Sequence, residues 1–119
     1  MFKRFAAAGL FLALSCLGAG AVEPLGATTT ASSTIAVTNT FQSALPSPGT
    51  SKRNGCNIQN TGTHTEYVYF GAIASATTSN AYQLSPGQPI SCATYSGGVL
   101  QDAVSITGTA GDGYVVTSQ

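Results

Sequence analysis

The chain has 119 residues, of which 43% are hydrophobic and only 7% charged, with four basic side chains balanced by four acidic ones. No basic stripe exists to neutralise phosphates, and nucleic-acid affinity rests mainly on Lys and Arg contacts, so nucleic acid is excluded as a partner. The length allows one small domain, and solubility must come from Thr, Ser, Asn, Gln and Gly rather than from charge.

In chain order, the first feature is a targeting pattern. Lys3 and Arg4 precede the uncharged, mostly apolar run 5–17, and Ala19-Gly20-Ala21 gives the small-x-small motif of a signal-peptidase site. The run is shorter than the roughly 20 residues of a spanning helix. The pattern predicts a signal peptide over 1–21, export to the periplasm or beyond, and no stable membrane span after cleavage. A lipidated Cys16 is the competing reading, but Ala13-Leu14-Ser15 is a poor lipobox. Cleavage leaves 98 of the 119 residues.

Residues 22–33 are mostly Thr, Ala and Ser with little apolar content, which predicts a flexible lead-in. The domain itself is expected over 34–119. TIAVTNTFQ (34–42) places Ile35, Val37 and Phe41 on one parity, the pattern of a half-buried strand. Pro46, Pro48 and Gly49 then break the chain into a loop over 45–55. CNIQN (56–60) alternates again, and Thr61-Gly62-Thr63 turns into TEYVYFG (65–71), the densest run of aromatic and β-branched residues. The two together read as a hairpin, with Val68 and Phe70 as core anchors.

AYQLS (81–85) is a further strand, and Ser85-Pro86-Gly87-Gln88 carries the type II turn signature. PISCAT (89–94), VLQDAVSIT (99–107) and YVVTS (114–118) follow, with Ser96-Gly97-Gly98 between the first two and GTAGDG (108–113) as a glycine-rich hairpin connection before the last. About seven short strands at regular spacing, without helical periodicity, predict an all-β fold: a single antiparallel β-sandwich or jelly-roll-like domain.

Cys56 and Cys92 are the cysteines left after cleavage. In an oxidising compartment an isolated pair forms a disulfide. Its loop of 36 residue steps is worth roughly 3–4 kcal/mol in loop entropy. That pairing leaves no metal set, since Cys56, His64 and Cys92 lack the short spacings of a zinc site.

His64 is the single histidine, and Glu66 two residues on would share its face of a strand. Such a spacing does not define a triad, so both are expected as an exposed polar pair at the start of a strand. Asp112 in AGDG needs only a turn to explain it, and Asp102, on the apolar parity of its strand, needs a bulge or an edge. No catalytic residue, cofactor or metal is expected. Tyr67 and Tyr69 are the better lead. They lie opposite Val68 and Phe70 in parity, and either pack under a loop or against the other sheet or form an aromatic surface for a glycan ring or a protein subunit. Tyr82, Tyr95 and Tyr114 would extend it, and a homo-oligomer is compatible with it.

From Arg53 onward, the order IQNTG, YVYFG, QLSPGQ, YSGG and VSITGTAG resembles small all-β modules of tailed bacteriophages and prophages, found as head-decoration, fibre or tail-associated virion proteins. The resemblance implies a β-module and carries over no binding residue. The export signal and the cysteine pair depart from it, because virion assembly is cytoplasmic. The leading expectation is a non-enzymatic exported module that is structural, adhesive or surface-binding. A virion decoration or fibre protein is the alternative, and a periplasmic hydrolase using His64 a third.

Overall fold

A computed structural model describes residues 28–93 and 97–119. The expected signal peptide with Cys16, the first half of the lead-in (22–27) and Tyr95 fall outside the described residues. The fold is all-β and holds eight strands rather than about seven: β1 (Thr29–Thr34), β2 (Gln42–Leu45), β3 (Cys56–Asn60), β4 (Glu66–Phe70), β5 (Tyr82–Leu84), β6 (Pro89–Ser91), β7 (Val104–Thr107) and β8 (Gly113–Ser118). One turn of 3-10 helix, Ile73–Ser75, follows β4.

The strands form two four-stranded antiparallel sheets in the orders β1-β8-β3-β6 and β2-β7-β4-β5. Pairing runs outward from one tight unit: β4 with β5, β3 with β6, β2 with β7 and β1 with β8. This is a long antiparallel ribbon rolled up on itself, and two further pairings, β3 with β8 and β4 with β7, seal the roll. Such a double-sheet jelly roll is one of the few ways to protect most edges of an antiparallel sheet without closing a barrel.

Period-2 alternation explains the packing. Cys56, Ile58, Tyr114 and Val116 point inward from one sheet, and Val68, Leu84, Val104 and Ile106 from the other. Phe70, Ile90 and Leu45 pack at the margins of this core. Cys56 and Cys92 are disulfide-bonded, with Cα atoms 5.4 Å apart, within the usual range for such a bridge. The bond extends the β3–β6 ladder by one position, and the Cys92 N–H donates to the Cys56 carbonyl (3.1 Å).

Four expectations need correction. Residues 29–33, expected as the end of a flexible lead-in, form with Thr34 a strand: its side chains are all exposed, and backbone pairing to the Val-rich β8 holds it. Residues 35–41 are a connection instead of a strand. Ile35 is buried, Val37 is 57% exposed, and Asn39 adopts φ +57°, a left-handed geometry that Asn tolerates. β7 begins only at Val104, so Asp102 lies in an exposed loop and its parity carries no meaning. Neither β3–β4 nor β7–β8 is a hairpin, because each connection crosses from one sheet to the other.

The Pro86-Gly87 turn has its expected form, with φ +80° at Gly87 and Gln88 N–H donating to Ser85 C=O at 3.0 Å. Arg53 is buried, an arrangement its sequence context does not announce. Its guanidinium donates to the carbonyls of Leu100 (3.2 Å), Asp102 (3.1 Å) and Pro46 (2.8 Å). Gln101 brackets the same residue's backbone at 2.7 and 2.8 Å. One side chain thereby ties the loop before β3 to the loop before β7.

Candidate functional site

Tyr67 and Tyr69 alternate with the inward Glu66, Val68 and Phe70 on β4, so both rings lie on the outer face of the β2-β7-β4-β5 sheet, half-buried. Register sets their neighbours. Tyr67 lies between Thr107 on β7 and Gln83 on β5, and Tyr69 lies beside Ser105, which in turn faces Ser43 on β2. Ser105 and Thr107 are fully buried beneath this face, so the exposed neighbours of the two tyrosines are Gln83 and Ser43, with no charged residue at these positions. Neither tyrosine hydroxyl has a hydrogen-bond partner among the described residues.

The Tyr69 ring is fixed by its own strand end. A Cβ placed on Gly71 would lie 2.5 Å from a carbon of that ring, so the ring lies flush against backbone that only glycine leaves open. The Gly71 backbone is itself held on both sides: its N–H donates to Ala103 C=O (2.7 Å), and its carbonyl accepts from Ser105 Oγ (2.9 Å). Tyr114 and Tyr82 do not extend this face. Tyr114 is buried between the sheets, where its hydroxyl accepts from Gln42 Nε2 (3.1 Å). Tyr82 has the inward parity of β5 and packs edge-on against Phe70, with ring centroids 5.7 Å apart.

His64 and Glu66 separate. His64 precedes β4, with its side chain 61% exposed, and its Nδ1 lies 2.9 Å from Asp112 Oδ2. Asp112 also accepts from the backbone N–H groups of Thr63 (3.3 Å) and His64 (3.2 Å) and from Thr63 Oγ1 (3.3 Å). Burial by itself would raise the Asp112 pKa, but these donors outweigh it and hold the carboxyl below its usual range. The cluster latches the β3–β4 crossover to the β7–β8 crossover. Thr63 Oγ1 approaches the same Nδ1 (3.2 Å) that faces Asp112. A triad instead sets nucleophile and carboxylate on opposite ring nitrogens, so Thr63 is not placed as a nucleophile.

Glu66, expected at the surface, is fully buried at the start of β4, and neither carboxyl oxygen has a partner among the described residues. Leu84 and Gly108 flank it across the sheet, the latter within 3.0 Å of its Cγ at the position of an added Cβ. Desolvation, with a smaller push from the Asp112 carboxylate, raises its pKa from 4.5 to about 7. Its inward parity with Val68 was available in the sequence, while the depth of its burial depends on the second sheet.

Three or more His, Cys, Asp or Glu side chains do not converge anywhere among the described residues, and the sulfurs of Cys56 and Cys92 are committed to each other. No family model matches this chain, and neither a curated protein nor a solved structure does.

Proposed function

We propose that this protein is an exported, non-enzymatic jelly-roll module that works through its surface, and that the Tyr67/Tyr69 face is where it binds. The observation that carries this reading is the pair of half-exposed tyrosines on an outer sheet face, with unpartnered hydroxyls and a neutral polar surround. Aromatic faces stack on the C–H faces of sugar rings, and free hydroxyls with the exposed Ser43 and Gln83 nearby suit a glycan, an uncharged polar ligand. Glycine at 71 favours the same role by leaving room for the Tyr69 ring to pack flush on the backbone, and a packed ring loses less freedom on binding.

Export is supported by the Lys3-Arg4, apolar and Ala-Gly-Ala sequence pattern and by the disulfide, which suits an oxidising compartment. The jelly-roll architecture occurs in lectin domains and in viral capsids alike, so by analogy it accommodates both the glycan-binding reading and the virion alternative. Amino-terminal sequencing of the natural product separates these two: a chain beginning at Val22 supports export, and an intact Met1 in phage particles supports the virion.

The direct test is a Tyr67→Ala/Tyr69→Ala protein screened against immobilised bacterial cell-envelope polysaccharides beside the unaltered protein. Both rings are on the outer face, so the variant should retain its circular dichroism and its disulfide. Binding by the unaltered protein that falls at least tenfold in the variant supports the reading. Equal retention by both proteins removes this face from consideration.

A further inference from the structure

The two sheets leave four edge strands, and three carry devices that natural sheets use against edge-to-edge pairing. β5 is three residues long, β6 is three residues long and opens with Pro89, and β2 has a register break between Ser43 and Leu45. β1 has none of these. It is six residues long, contains neither charge nor proline, pairs with β8 without a bulge and is exposed at every position.

Its hydrogen-bonding pattern shows which groups lie open. Thr61 N–H donates to Gly113 C=O, so Gly113 faces β3, and Ile35 N–H donates to Asp112 C=O, so Asp112 faces the β1 side. Antiparallel ladders alternate. Thr29, Ala31 and Ser33 therefore direct their backbone groups to β8, and Thr30, Ser32 and Thr34 direct theirs to the free edge. Gln42 plugs the far end, donating to the Thr34 carbonyl (2.9 Å) and accepting from Ala36 N–H (2.7 Å). Among the described residues, Thr30 and Ser32 remain as the open pair.

We infer that β1 is a self-association edge, and that a second copy of this chain adds its own β1 there, antiparallel, with the two-fold axis through Ala31. In this register Thr30 of each chain exchanges hydrogen bonds with Ser32 of the other, which uses both open residues and leaves the Gln42 plug undisturbed. Ala31 meets Ala31 on the axis as a non-hydrogen-bonded pair, the closest approach in the ladder, at about 4.5 Å between Cα atoms. The smallest side chain of the strand stands where space is least. The remaining cross-strand pairs are Thr with Ser, which interact favourably through their hydroxyls.

TTASST is thus self-complementary, as an isologous contact requires. The product is one continuous sheet, β6-β3-β8-β1-β1-β8-β3-β6, and its closed symmetry consumes both open edges so that growth stops at the dimer. The contact is small and places the dimer in the reversible, concentration-dependent class.

Sedimentation velocity over a wide concentration range, with Ala31→Lys and Ala31→Glu variants, tests this. Residue 31 is exposed, so both variants should fold, which circular dichroism checks. The unaltered protein should shift from monomer to twice the monomer mass as concentration rises. Each variant alone should stay monomeric, because like charges face each other across the axis, and an equimolar mixture should recover the dimer. Ala31→Ser should behave like the unaltered protein. A chain that stays monomeric at millimolar concentration overturns the inference. So do a dimer that Ala31→Lys leaves intact, a mixture that does not associate, and protection of the Thr30 and Ser32 amides from exchange in the monomer.

Discussion

Arg53 and Glu66 are both buried with no partner of opposite charge among the described residues, and the fold treats them differently. Arg53 spends its guanidinium on three backbone carbonyls, a charge-assisted arrangement that only a planar fork satisfies. Glu66 has no donor among the described residues, so the interior favours its neutral form. Because its folded pKa lies above its unfolded value, the native protein holds a proton that the unfolded chain releases between pH 4.5 and about 7. Stability should then fall as pH rises through that window, by up to about 1.4 kcal/mol per pH unit. Asp112 acts with the opposite sign: its lowered pKa stabilises the fold above its unfolded value and is lost on acidification. The two together predict a stability maximum at mildly acidic pH. Glu66→Gln should flatten the alkaline side, so its melting temperature should exceed that of the unaltered protein at pH 8 and approach it at pH 5. Thermal melts at the two pH values check this, and an unchanged alkaline slope in the variant would count against a buried, neutral Glu66.

At the scale of elements, β3, β4, β5 and β8 were legible because their alternation is strong and their inward residues are apolar. β1 was not legible, since TTASST has no apolar parity and its attachment comes from β8, at the far end of the chain. Residues 35–41 show the converse: Ile35, Val37 and Phe41 imitate a strand, but the chain must leave one sheet for the other there, and Asn39 turns it. The outward direction of Tyr67 and Tyr69 followed from parity alone. The fixing of Tyr69 did not, because it depends on Gly71 returning under the ring. That contact gives a test separate from removing the tyrosines. Gly71→Ala forces a side chain into space the ring occupies and onto backbone at φ +156° that only glycine adopts readily, so a variant whose far-ultraviolet circular dichroism is unchanged must have swung Tyr69 away while Tyr67 keeps its place. Polysaccharide binding should weaken several-fold with both hydroxyls still present, and the near-ultraviolet tyrosine circular dichroism should change. Binding at full strength in Gly71→Ala would show that the pose of Tyr69 does not matter.

For the whole molecule, the order of pairing decides what the disulfide does. The β4–β5 unit is local, whereas β3–β6, β2–β7 and β1–β8 join progressively more distant segments, and loop closure must precede each contact it permits. Cys56 and Cys92 close the β3–β6 ring covalently, one step out from the local hairpin, so the unfolded chain begins with that ring already formed. A domain of about 100 residues buries only about two-thirds of its unfolded surface, and its net stability is of the order of 5–15 kcal/mol. Against that margin, the roughly 3–4 kcal/mol expected for a loop of 36 residues is a large share. Cys56→Ala/Cys92→Ala should therefore fold to the same circular dichroism spectrum at low temperature but lose about that much stability in urea. Part of the loss should appear as slower refolding, because the β3–β6 ring must then close unaided before the outer strands can add. Reductant should reproduce the loss in the unaltered protein and have no effect on the variant. A reductant-insensitive urea midpoint in the unaltered protein would mean that non-covalent pairing of β3 with β6 suffices to hold the roll.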